Sequence, residues 1–93
     1  MLSGKEKRMM RAQANQIKAS VMIGREGMSS NVKHFIDEAF NNKYLVKVKV
    51  LDTCNDDRRQ IASQLDKLKD TEVVQLLGRT ILLYRPPTEN ESE

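Results

Sequence analysis

The sequence predicts an α/β fold: a compact single domain in the order α-β-α-β-α-β-β, with a four-stranded mixed sheet and helices packed on it. Three observations carry this expectation. Apolar residues recur at helical spacing in three stretches: Met10-Ala14-Ile17, Val32-Phe35-Ile36-Ala39-Phe40 and Ile61-Ala62-Leu65-Leu68. Short apolar or alternating runs lie between and after them, at Ala19–Ile23, Tyr44–Leu51, Glu72–Leu77 and Thr80–Arg85. Strands separated by helices imply parallel pairs with right-handed crossovers, whereas the last two runs, separated only by Gly78-Arg79, form an antiparallel hairpin.

Each element has its own local cause. Ser3-Gly4-Lys5-Glu6 has the form of a capping box and opens a first helix from Ser3 to about Asn15. Ala19–Ile23 is too short for a helix and reads as a buried strand, ended by Gly24. Ser29-Ser30-Asn31 supplies N-cap residues for a second helix, whose apolar stripe includes Phe35 and Phe40. Tyr44–Leu51 alternates, with Val46, Val48 and Val50 on one face and Leu45, Lys47, Lys49 and Leu51 on the other. Val46, Val48 and Val50 are expected under the crossover helices, and Lys47 and Lys49 are open unless the first helix covers them. Asn55 or Asp56 is expected to cap the third helix. Pro86-Pro87 stops the last strand, because proline donates no ladder hydrogen bond. The domain is expected over residues 1–87, with the acidic tail 88–93 disordered.

Composition narrows the class of function. The chain has 93 residues, too few for more than one domain of ordinary size. A lone Cys54 excludes an intramolecular disulfide and fits a reducing compartment. No run approaches about 18 consecutive apolar residues, so no membrane span is expected. The charged N-terminal segment does not read as a signal peptide, which makes the expected location cytoplasmic. The net charge of +3 is unevenly spread. Residues 1–50 hold ten Lys/Arg against four Asp/Glu, and residues 51–93 hold six against nine. A basic half of a small domain suggests a polyanionic partner.

Enzyme chemistry finds little support. One His and one Cys cannot build a usual metal site, so no metal and no cofactor are expected. His34 falls on the polar side of the second helix. Cys54 has Asp52, Asp56 and Asp57 nearby, which do not favour a thiolate. Asp37-Glu38 and Asp56-Asp57 are adjacent pairs, which do not face each other on a helix. No catalytic residue is assigned.

Two features point to a phosphate backbone instead. Gly24-Arg25-Glu26-Gly27 leaves a strand and enters a helix, where unpaired N–H groups and the helix dipole favour an anion. Glycine at both ends permits tight curvature and close approach. Arg25 supports an anion there, and Glu26 opposes it. The first helix adds Lys5, Lys7, Arg8 and Arg11; of these Lys5, Arg8 and Arg11 follow i, i+3, i+6 along one face. With Phe35 and Phe40 assigned to the core stripe, no aromatic platform for stacking bases is expected.

These segments, taken in order, resemble the CRM domain (chloroplast RNA splicing and ribosome maturation) in its free-standing bacterial YhbY-like form. The resemblance runs through Leu2-Ser3 with Lys5 and Arg11, Val21–Gly27, Leu45–Val50, and Val74–Thr80 leading to Leu82-Leu83-Tyr84-Arg85-Pro86. It implies a fold similar to the C-terminal domain of translation initiation factor three. It also implies a non-catalytic RNA-binding protein that binds ribosomal RNA of large-subunit precursors; a monomer is expected, with ribosomal proteins as a further class of partner. The implied RNA-binding residues are Lys5, Arg11, Gly24, Arg25, Glu26, Gly27, Arg79 and Arg85, to which the charge pattern adds Lys7 and Arg8. Glu26 departs from the basic or neutral residues the family commonly carries in that loop. The alternative is a protein-interaction module that docks on a ribosomal protein or assembly factor through the Lys47/Lys49 face.

Overall fold

The computed structural model describes residues 2–41 and 43–86; the expected disordered tail at 88–93 lies outside them. The elements are α1 (Gly4–Ala14), β1 (Val21–Ile23), α2 (Ser30–Ala39), β2 (Leu45–Val50), α3 (Arg58–Asp66), β3 (Glu72–Leu77) and β4 (Thr80–Tyr84). This is the expected α-β-α-β-α-β-β order. The strands form one four-stranded mixed sheet in the order β1-β2-β4-β3.

β1 and β2 are parallel, with Val21 opposite Val48 and Ile23 opposite Val50. The second crossover differs from expectation. β2 and β3 run in the same direction but do not pair, because β4 lies between them and is antiparallel to both. The Gly78-Arg79 turn folds β4 back into that slot. Gly78 has φ +58° and is the only residue of the pair with positive φ, as the first position of a type II′ turn requires.

Strand alternation builds two cores. Val46, Val48 and Val50 join Val21, Ile23, Ile81 and Leu83 beneath α2 and α3, whose Val32, Ile36, Phe40, Ile61 and Leu65 close the main core. The other sheet face carries Leu45, Leu82 and Val74, which α1 covers with Ala14, flanked by Met10 and Ile17. A bulge between Val73 and Gln75 makes this possible in β3. It leaves Val73 and Leu76 on the main core and turns Val74 to the α1 side. Lys47 is therefore covered: its Nζ donates to the Ala14 carbonyl at 2.8 Å, at the open C-terminal end of α1 where a cation is favoured. Lys49 stays exposed.

Three local expectations are corrected. Asp57 caps α3, with Oδ1 accepting from Arg59 N at 3.4 Å, in place of Asn55 or Asp56. The regular strands start later and end sooner than the apolar runs, at Val21 and at Tyr84. Phe35 does not join the core: it is 54% exposed, while Val32, Ile36 and Phe40 of the same helix are buried. A ten-residue helix over a three-residue edge strand has too little sheet beneath it to cover the whole stripe.

Arg85, just past β4, ties three segments together. Its Nη2 is 2.8 Å from Asp37 Oδ1 of α2, its Nε donates to Thr71 Oγ1 at 2.8 Å, and its Cζ lies 4.7 Å from the centre of the Phe40 ring. Arg85→Ala is expected to cost about 1–2 kcal/mol in urea unfolding, since it removes a charge-assisted hydrogen bond and a cation–π contact while Asp37 stays solvated. Arg85→Lys should recover only part, because an ammonium lacks the planar fork.

The capping box forms as expected. Ser3 Oγ accepts from Glu6 N at 3.1 Å, and Ser3 N donates to Glu6 Oε1 at 3.0 Å. The backbone N–H of Ser3, and then its side chain, hold the Glu6 carboxyl below its ordinary value. A lowered native value means the contribution is present above the unfolded pKa and is lost as pH falls through the native one. The difference in Tm between the natural protein and Glu6→Ala should therefore be largest near neutrality and close on acidification. A pH-independent difference would contradict this role.

Candidate nucleic-acid interface

Gly24–Gly27 forms a closed turn at the end of β1. Gly27 N donates to the Gly24 carbonyl at 3.0 Å, which leaves Arg25 and Glu26 exposed at the two corners. Gly27 has φ +63°, and a Cβ there would lie 2.6 Å from Asp56 Oδ2; a Cβ on Gly24 would lie 3.1 Å from Thr53 Oγ1. Gly27 is required by its positive φ, whereas Gly24, whose φ is not positive, packs closely on the side chain of Thr53 in the β2–α3 loop. Substituting Gly27 by a residue with a Cβ therefore strains the turn.

The turn leads into α2 through Ser29. Ser29 Oγ accepts from Val32 N at 3.3 Å, and the Ser29 carbonyl accepts from Lys33 N at 3.2 Å. Of the first helical N–H groups, those of Ser30 and Asn31 have no intrahelical acceptor. With the Gly27 N–H committed inside the turn, they are the donors that this helix start offers to an anion. Exposed Arg25 and Lys33 flank them on either side in sequence.

A second loop with a basic residue lies at the same end of the sheet. Val50 N donates to the Arg79 carbonyl at 2.7 Å, and Leu51 N donates to the Ile23 carbonyl at 2.8 Å, so the Gly78-Arg79 turn and the Gly24–Gly27 turn flank the end of β2. The Arg79 guanidinium is paired there, with Nη1 2.7 Å from Asp52 Oδ1. Arg58 and Arg59, exposed on the first turn of α3, follow Asp56 closely in the chain. The sequence reading missed them as contributors because their neighbours Asp56 and Asp57 mask them in a local charge count. The packing of Gly27 on Asp56 is the contact that brings this segment to the turn. Glu26, Asp52, Asp56 and Asp57 make the field at this end mixed.

The remaining expected residues lie elsewhere. Lys5 and Arg8 are exposed on α1 and Arg11 is half-buried there; Lys7 lies 3.4 Å from Glu72 Oε2 of β3. Among the described residues, Lys5, Arg8, Arg11 and Arg25 have no carboxylate within ion-pair distance. α1 covers the sheet face opposite α2 and α3, so its basic residues and the glycine turn belong to different layers. Arg85 is at the far end of the sheet, where its N–H donates to the Tyr44 carbonyl at 3.1 Å, and its side chain is engaged inside the fold. Because Lys47 is committed to α1, the Lys47/Lys49 face retains only Lys49 as an exposed cation.

His34 Nε2 is 3.0 Å from Glu38 Oε1 one turn along α2, and Cys54 Sγ is 3.6 Å from the Asp56 carbonyl. Neither lies beside a nucleophile–base pair. Among the described residues, no three of His, Cys, Asp and Glu converge as metal ligands, and no helix is long and apolar enough to cross a membrane.

Comparison with known proteins agrees with this architecture. The chain is 36% identical over 91 residues to Probable RNA-binding protein YqeI of Bacillus subtilis, covering 98% of this chain and 95% of the relative. It is 31% identical over 88 residues to a protein of Haemophilus influenzae named RNA-binding protein, covering 95% of this chain and 89% of the relative. The solution structure of a Staphylococcus aureus protein superposes with a TM-score of 0.79 at 37% identity, covering 99% of this chain and 96% of the other. The family model described as CRS1 / YhbY (CRM) domain matches residues 2–85, and the chain belongs to that family.

Proposed function

We propose that this protein is a non-catalytic RNA-binding protein that engages ribosomal RNA of large-subunit precursors during ribosome assembly. The observation that carries the reading is the closed Gly24–Gly27 turn at the start of α2, with Arg25 exposed at its corner and the Ser30 and Asn31 N–H groups beyond it. The family and the names of the relatives support RNA as the ligand. In this mechanism a backbone phosphate accepts from the helix-start N–H groups, and Arg25 neutralises it or its neighbour. Lys5, Arg8 and Arg11 make a second set of phosphate contacts from the other layer. A bound chain therefore bends around the end or edge of the sheet, which favours a flexible or structured single strand over a straight duplex. Lys7 and Arg79 contribute less because each has an acidic partner at home. Arg85 is assigned to folding and left out of the surface.

Four neutralised phosphates give a slope of about −3 in log K against log salt for a single strand. Arg25→Ala should reduce that slope by about 0.7 and weaken binding, whereas Glu26→Gln should tighten it by removing a competing carboxylate. Both side chains are exposed, so the fold is retained. A flat salt response in a fluorescence-anisotropy titration, or no effect of either substitution, would overturn the mechanism. Crosslinking and sequencing of RNA bound in cells should recover large-subunit precursor RNA, and the protein should cosediment with pre-ribosomal particles; recovery of unrelated RNA alone would remove the ribosomal assignment.

A further inference from the structure

Phe35 is the exposed aromatic that the fold itself does not use. It is 54% exposed on the outer side of α2, with its ring 6.4 Å from that of His34. It borders a groove to which Met22 of β1 also contributes; Met22 is 56% exposed, its side chain alternating to the sheet face opposite α2. Val21 and Ala39 line the groove between them, and Lys43 lies along it. β1 is an edge strand, so the outer side of this wall carries backbone groups with no ladder partner.

Chain connectivity sets where this groove begins. Its β1 wall runs directly into Gly24, and its α2 wall starts just after Gly27. The groove occupies the far part of this edge, at the start of β1 and the second half of α2, with the glycine turn at the other end of the same edge. α2 has ten residues and is about 15 Å long, enough for about two unstacked nucleotides. Charge follows the same line. Arg25 and Lys33 are exposed near the turn and Lys43 is exposed beyond the far end of α2, with the exposed Phe35 between. The opposing charges are Glu26 in the turn and Glu38 on the α2 wall, which lies 3.0 Å from His34 Nε2. An aromatic face between two basic ends suits a nucleotide, whose base is a flat π surface and whose flanking groups are phosphates.

We propose that Phe35 stacks on an unpaired base of the bound RNA, so that the groove between β1 and α2 holds the nucleotides next to the phosphate at the Gly24–Gly27 turn. This rests on the RNA-binding reading above and adds to it the aromatic contact that selects an unpaired base.

The test uses the full chain, a fluorescein-labelled single-stranded RNA 12-mer of mixed sequence, and a 12-base-pair RNA duplex. Phe35→Ala should weaken single-strand binding about 5- to 100-fold and leave duplex binding unchanged. Circular dichroism should match the natural protein, since the side chain is outside the core. Phe35→Trp should restore affinity, and because the chain has no other Trp its emission should be quenched on adding the single strand. Arg25→Glu should weaken both ligands. If Phe35→Ala binds the single strand as the natural protein does while Arg25→Glu does not, the stacking assignment falls and the turn assignment stands; Phe35 would then belong to a protein contact. Equal losses on both ligands would also overturn the stacking. If the natural protein binds neither RNA, both readings fall.

Discussion

The structure depends on β2 and β4 being the two inner strands of a sheet that must be covered on both faces. β2 buries Val46, Val48 and Val50 on one side and Leu45 on the other, and β4 buries Ile81 and Leu83 on one side and Leu82 on the other. A single layer of helices would leave the second face open. α2 and α3 can close only the face reached by the crossovers, so α1 must close the other. Its capping box, its Met10-Ala14-Ile17 stripe and the Lys47 bond to the Ala14 carbonyl serve that requirement.

That arrangement decides what the surface can do. α1 spends its apolar side on the sheet and turns Lys5 and Arg8 outward. At the end of β2 the chain must leave the sheet in loops, and two turns with basic residues are held on either side of that end by backbone hydrogen bonds. The Gly24–Gly27 turn is set by backbone geometry rather than by flexibility: Gly27 closes it with a positive φ and a hydrogen bond to the Gly24 carbonyl. Rigid placement of N–H donors would lower the entropic cost of the anion binding proposed for this weakly basic site. The same short edge strand that ends in this turn leaves Phe35 and Met22 uncovered, so the exposed groove follows from the small size of β1.

Most of the fold was legible because its signals are local. Ser3 and Glu6 announce their own capping box, the β2 alternation states its two faces, and Gly78 marks the hairpin. The position of β4 between β2 and β3 was not legible, because strand order depends on which neighbour offers the better-matched edge, and no single segment encodes that. Phe35 misled for a related reason. Its spacing with Val32 and Ile36 is correct for a core stripe, but whether a stripe is fully covered depends on the width of the sheet beneath it. The basic residues were easy to count and hard to place: Arg85 and Lys47 look alike in sequence to Lys5 and Arg25, yet the first two are held by Asp37, Thr71 and the Ala14 carbonyl. A cation becomes available only when the fold provides no acceptor nearby.

The central claim is that phosphate binding occurs at the start of α2 and on α1, away from the Arg85 end of the sheet. Amide chemical-shift mapping of the ¹⁵N-labelled protein during titration with single-stranded RNA tests it most directly. The account predicts the largest changes from Gly24 to Asn31, a second set from Lys5 to Arg11, and unchanged signals at Thr71 and Arg85. Changes centred on Thr71 and Arg85 with the Gly24–Asn31 amides unmoved would contradict it.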